Sequence, residues 1–155
     1  MKINIIDISN KSSSFFDSTE EYYKKQFPRN LSIESIHIKP TTYSSRSIEN
    51  QLRDEALLID KQINTKDFLI VCSPEGKKFD SDGFSNLIFK IFEDSIKDIT
   101  FVIGGSRGID QSIKDKSNLI LSFSDLTFPH KLFKLMLVEQ IYRAYTIRNN
   151  LPYHK

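Results

Sequence analysis

The sequence predicts an α/β fold: a mainly parallel sheet flanked by helices. Three observations carry this. Strand-like and helix-like segments alternate along the chain. The run FLIVC at 68–72 is continuously apolar, as strands covered on both faces are. Loops rich in Gly and Ser follow the apolar runs, which fits the carboxyl ends of parallel strands, where ligands bind in such sheets. With 155 residues, no internal repeat and no break in composition, residues 1–155 form one domain.

The elements follow in order. Residues 2–8 read as a strand, with Ile3, Ile5 and Ile6 apolar. Ser12 to Ser14 offer a polar turn and a helix cap. A helix follows over 15–26, with Phe15, Phe16, Tyr22 and Tyr23 as candidate core residues, and Phe27-Pro28 ends it because the residue before proline avoids the α region. Residues 31–39 alternate as a strand, and 40–46 form a polar loop. At 47–63, Ile48, Leu52, Ala56, Ile59 and Ile63 recur at helical spacing. The buried strand occupies 67–73, a turn with Gly76, Lys77 and Lys78 occupies 74–79, and a helix over 81–96 turns Phe84, Leu87, Ile88, Ile91 and Phe92 inward. A strand at 99–105 ends in the turn GGSRG, a further strand spans 118–124, a loop spans 125–129, and a long helix runs from about 130 to 148 before the tail NNLPYHK.

Composition narrows the function. Hydrophobic content of 39% and charged content of 27% fit a soluble globular chain. No apolar run approaches the ~20 residues of a membrane span. The start MKINIID alternates like a strand and is no signal peptide. The single cysteine, Cys72, cannot close an internal disulfide, which favours the cytoplasm, and no Cys/His spacing suits zinc or another metal. Net charge is +2, yet residues 129–155 hold five Lys/Arg against one Glu, so this end carries +4 and the remainder −2. A basic end points to an anionic partner or simply to a solvated helix face.

The motifs are individually modest. IGGSRG after a strand lets backbone approach a ligand, but it matches neither the dinucleotide fingerprint nor the P-loop; a tight turn explains it equally. Ser122, Ser124 and Thr127 beside backbone amides suit either an adenine or ribose, or a loop cap. Ser106 has no triad around it. Cys72 ends a buried strand and reads as inert core. The long helix carries apolar residues (Leu132, Leu135, Met136, Val138, Ile141, Tyr142, Tyr145, Ile147) on more than one stripe, which implies burial against the sheet and against a second subunit. Glu139 and Arg143 form an i,i+4 pair. By generic reasoning the tail is frayed.

Taken together, IGGSRG, LSFSDLTFPH and LVEQIYRAYTIRNNLPYHK resemble the bacterial ribosomal RNA large subunit methyltransferase H family of SPOUT methyltransferases, with the MKI start and the PEGKKFDS segment in place. The resemblance implies a deep trefoil knot near the C-terminus and a homodimer. It implies bent S-adenosylmethionine held by backbone groups at Cys72, Gly104, Gly105, Phe123, Ser124, Asp125, Leu126, Thr127 and Phe128. The implied substrate is N3 of a pseudouridine in helix 69 of 23S rRNA within the 70S ribosome, with neither DNA nor membrane as partner. His154 is then the candidate base, since histidine ordinarily changes charge near neutral pH. Tyr153 would stack on the nucleotide, Arg143 and His130 would hold phosphate or uracil carbonyls, and one subunit's tail would complete the other's pocket. Lys131, Lys134 and Arg148 are expected to meet RNA phosphates. Another SPOUT RNA methyltransferase, or a non-catalytic ribosome-binding or assembly factor, are the alternatives; the charge at Arg107 motivates the latter.

Overall fold

A computed structural model describes residues 1–10, 14–41, 47–95 and 97–154. The polar turn expected around Ser12 and Ser13 and the stretch 42–46 lie outside the described residues. Five strands and five helices alternate: β1 (Lys2–Ile8), α1 (Ser14–Gln26), β2 (Ser32–Ile38), α2 (Ile48–Asp60), β3 (Phe68–Lys78), α3 (Ser81–Ser95), β4 (Ile99–Ile103), α4 (Gln111–Lys116), β5 (Leu119–Ser122) and α5 (His130–Arg148). The sheet has the order β2-β1-β4-β3-β5, and every pairing is parallel.

Side-chain alternation divides the core. Ile3, Ile5, Ile70, Cys72, Ile99, Phe101 and Ile103 face α3 and α5, where Phe84, Ile88, Leu137, Val138 and Ile141 meet them. Ile6, Ile8, Leu69, Val71 and Val102 face the other way, onto Ala56 and Ile59 of α2 and Ile109 and Ile113 of α4. The helix α4 has no counterpart in the sequence reading; Asp110 caps it by accepting from the Ser112 amide. Ser47 caps α2 in the same manner, from Asn50. Two expected core residues of α1 are exposed instead: Phe15 at 68% and Tyr22 at 60%. Only one face of α1 meets α5, and Glu20 is buried there.

Residues 74–79 are not a turn. Cys72 and Lys77 both stand opposite Leu121 of β5, so residues 73–76 arch out of the ladder as a large bulge before β3 resumes at Lys77 and Lys78. The arch fits a proline at Pro74, which a regular central strand would exclude. It also needs Gly76: a Cβ there would stand 2.6 Å from the backbone carbons of Ile120 and Leu121. The outcome is a loop held over the end of β5.

A buried ionic cluster ties α5 to β1 and α1. Lys134, 4% exposed, lies 3.2 Å from Asp7 and 3.0 Å from Glu20. Lys24 adds a contact of 2.7 Å to Glu20, and Ser35 donates to it at 2.6 Å. Lys134 is therefore a structural cation, which corrects its expected role at the RNA surface. Burial alone would raise the Glu20 carboxyl, but hydrogen bonds from Lys24 and Ser35 and the charge of Lys134 outweigh it and hold the group at about 2. A depressed carboxyl contributes stability above its unfolded value near ~4.5 and loses it as pH falls toward ~2. Thermal melts should therefore drop steeply between about pH 5 and pH 2, and Glu20→Gln should flatten that drop. Lys134→Ala, which removes the buried cation shared by Asp7 and Glu20 but leaves Lys24 and Ser35 on Glu20 and His37 on Asp7, should cost about 3 kcal/mol at neutral pH by denaturant titration, whereas Lys131→Ala should cost under ~0.5 kcal/mol.

Candidate active site

Three strand ends converge. The bulge after Cys72, the turn after Ile103 and the loop after Ser122 enclose a cavity of about 450 Å³, a size suited to a small cofactor. It lies at the carboxyl ends of β3, β4 and β5. Cys72, Gly104, Gly105, Phe123, Ser124, Leu126, Thr127 and Phe128 all line it. Asp125 does not: its side chain is 84% exposed and paired with Lys78 across the loop. Ser73, Pro74, Ile103, Ser106, Gly108, Ile109, Leu121, Ser122 and Phe133 complete the lining. Of these the sequence had marked Ser106, Gly108 and Ser122 as local features, and Ser73 and Pro74 as part of the loop after the buried strand; Phe133 arrives through long-range folding.

The turn after β4 is built by three glycines for different reasons. A Cβ on Gly104 would lie 2.4 Å from Ile109 Cγ1 and 2.5 Å from the Gly108 carbonyl oxygen. The obstruction is the turn itself, rather than a ligand. Gly108 has φ +90, a conformation that side chains disfavour. Its amide donates to the Gly105 carbonyl at 3.0 Å and closes the turn. Gly105 is looser: the nearest atom to an added Cβ is Ile8 Cγ2 at 3.3 Å.

Polar groups hold the third loop. Ser122 Oγ donates to the Ser124 carbonyl at 3.1 Å, and Ser124 Oγ accepts from the Leu126 amide at 3.0 Å. These hydroxyls shape the loop that forms one wall of the cavity. Burial pushes the Cys72 thiol well above the ordinary cysteine range, so it stays protonated and apolar.

Of the four candidate catalytic residues, only His130 lines this cavity. Arg143, Tyr153 and His154 gather on the flank of α5. The tail is ordered through His154, contrary to the generic expectation of fraying. Asn150 takes φ 52, and the Leu151 amide donates back to the Thr146 carbonyl at 2.9 Å, folding the chain against its own helix. Glu139 organises the group: its Oε1 accepts from Arg143 Nε at 3.1 Å, Arg143 Nη2 at 2.6 Å and the Tyr153 hydroxyl at 3.0 Å. The Glu139–Arg143 pair is thus more than a surface i,i+4 contact.

The Arg143 guanidinium lies 4.9 Å from the Tyr153 ring centroid, and Tyr142 packs edge-on to that ring. Burial, the hydrogen bond with Tyr23 and the one it donates to Glu139 raise the Tyr153 phenol, which therefore stays a donor. Arg143 Nη1 is 3.3 Å from His154 Nδ1. Arginine can only donate, so Nδ1 accepts and the neutral imidazole carries its proton on Nε2. Between this cluster and the first cavity lies a second concavity of about 670 Å³, walled by Tyr23, Phe79, Phe84, Phe123, Leu132, Leu135, Met136 and Glu139.

Comparison with known proteins gives a consistent result. A family model described as "Predicted SPOUT methyltransferase" matches residues 1–154. Relatives named ribosomal RNA large subunit methyltransferase H are similar over the full length of both chains. The protein of Streptococcus suis (strain 05ZYH33) is 40% identical over 159 residues, that of Streptococcus pyogenes serotype M49 (strain NZ131) 38%, and that of Streptococcus equi subsp. zooepidemicus (strain MGCS10565) 37%.

Proposed function

The chain belongs to the ribosomal RNA large subunit methyltransferase H family of SPOUT methyltransferases, and from that premise we propose that it methylates N3 of a pseudouridine in helix 69 of 23S rRNA on the assembled ribosome, with S-adenosylmethionine as methyl donor. The observation that carries the reading is the cavity where three strand ends meet, lined by eight of the nine residues expected to hold the donor. Its size, its glycine turn and its apolar walls suit an adenosine with a folded methionine arm. When bound, the donor supplies a methyl group on a good leaving group. The chain must align the nucleobase nitrogen with that group and manage the N3 proton.

The residues divide that work. Tyr153 offers a ring for stacking, and Arg143 holds a permanent charge beside His154 that favours an ionised imide. His154 Nδ1, occupied by Arg143 at rest, becomes available as acceptor if the guanidinium turns to the nucleotide; Nε2–H is free to donate to a uracil carbonyl. His130, at the start of α5 and on the cavity wall, suits a carbonyl or phosphate at the mouth. With Lys134 buried, Arg107, between the lining residues Ser106 and Gly108, and Lys131, which follows His130 and borders a separate concavity with Asp7 and Glu20, are the cations that suit phosphates.

The cluster around His154 and the donor cavity share no lining residue, which supports a homodimer in which each chain's tail serves its partner's cavity. The apolar concavity beside α5 and the exposed Leu126 and Leu132 supply a surface for it. Met136 borders that concavity, while Val138 is fully buried. Met136→Glu should therefore give monomers by light scattering at micromolar concentration with the fold retained, and Val138→Glu should lower the melting temperature instead. The trefoil knot of the family is supported by the arch at residues 73–76 over β5 and by the way α5 packs back against α1 and α3. Transfer of labelled methyl from S-adenosylmethionine to ribosomes carrying the unmodified pseudouridine tests the whole reading. No incorporation, or incorporation at another nucleotide, would overturn it.

A further inference from the structure

Glu55 on α2 is 2% exposed and has no part in the chemistry described above. Its two oxygens are treated very unequally. Oε1 accepts from the Thr41 amide at 3.2 Å, the Thr41 hydroxyl at 3.3 Å and Gln51 Nε2 at 3.1 Å. Oε2 is buried and has no hydrogen-bond partner among the described residues. It lies 3.5 Å from the point where a Cβ on Gly105 would stand, and Gly105 lines the cavity. A buried carboxylate oxygen without a partner is costly, and this one is separated from the cavity by a residue with no side chain.

We propose that Glu55 is a positioning residue for the methyl donor: its carboxylate, behind the bare backbone of Gly105, gives the cavity its preference for the cationic sulfonium donor over the neutral thioether product. The inference rests on the reading of the cavity as the donor site. The donor carries one positive charge more than S-adenosylhomocysteine, at the sulfur, and a carboxylate in a poorly solvated wall distinguishes the two by that charge. The sign of the kinetic effect follows. Positive charge at sulfur declines as the methyl group leaves, so Glu55 stabilises the loaded state more than the transition state. It therefore favours donor loading and product discharge at a small cost to the transfer step.

Calorimetry on the full-length protein with S-adenosylmethionine and S-adenosylhomocysteine tests this. Glu55→Gln should weaken the donor roughly 5–10-fold, leave the product within about 2-fold, and raise the donor KM with kcat unchanged or higher. Gly105→Ala, which places a methyl 3.5 Å from the carboxylate oxygen, should lower the donor-to-product affinity ratio by roughly 2-fold and serves if Glu55→Gln does not fold. A parallel loss of both ligands would make Glu55 merely structural, and an unchanged ratio in the folded variants would overturn the proposal outright. If the native protein binds neither ligand, the cavity assignment itself falls, and this inference with it.

Discussion

Deleting residues 152–155 is expected to cut methyl transfer by at least ~10²-fold, the scale of losing one positioned acid–base group, while donor affinity stays within about 2-fold. The separation follows from geometry. The cavity proposed for the donor is lined by residues between Cys72 and Phe133 and, among the described residues, by none of the tail. Tyr153 and His154 instead sit on α5 through Glu139 and Arg143. His154→Ala should reproduce most of the loss, and its rate should climb toward alkaline pH as the imide ionises without help. Tyr153→Phe should be milder: the ring remains beneath Arg143 for stacking, and Glu139 keeps both of its bonds to the guanidinium. Single-turnover assays on ribosomes, with donor binding by calorimetry on the same preparations, separate the two effects. Full activity in the truncated protein would return the proton to solvent or RNA and reduce the ordered tail to a helix cap.

The second large effect concerns Gly104. Gly104→Val should abolish measurable donor binding, a loss of at least ~10²-fold, because the new side chain meets the Gly108 carbonyl and Ile109 and forces the turn away from the cavity. The Gly108 contact is backbone and cannot swing aside as a long side chain would. Gly104→Ala should already show much of this loss. Gly105→Ala, needing only a few tenths of an ångström from Ile8, should cost less than ~5-fold. Comparable losses at Gly104 and Gly105 would show that ligand contact, and not the turn, is what excludes side chains here.

Much of the architecture was legible in local patterns. The apolar run FLIVC announced a strand covered on both faces, and the spacing of Ala56 and Ile59 or of Phe84, Ile88 and Ile91 announced the helix faces that cover it. These signals repeat within one or two turns of chain, so a short window contains them. Strand ends carrying Gly and Ser then pointed to the cavity, and the resemblance of the C-terminal third to a known family pointed to the methyl donor proposed for it.

Other features exist only because distant segments meet. Lys134 reads as a surface cation on a basic helix, yet it is buried because Asp7 and Glu20, from β1 and α1, arrive to neutralise it. Gly76 reads as an ordinary turn glycine, yet β5 crosses so close to it that no side chain fits. Asp125 sits among cavity residues in sequence but pairs outward with Lys78, and the tail is ordered because Glu139 holds Tyr153 and Arg143 on one oxygen. Periodicity states which face of an element is apolar. It does not state which opposite charge or which backbone lies against that face, because that depends on contacts between residues tens to more than a hundred positions apart. The sequence by itself therefore determined the order of strands and helices apart from α4, the location of the loops that carry the site and the family; tertiary contact alone decided the arch within β3, which charges are buried, which glycines are indispensable and where the tail rests.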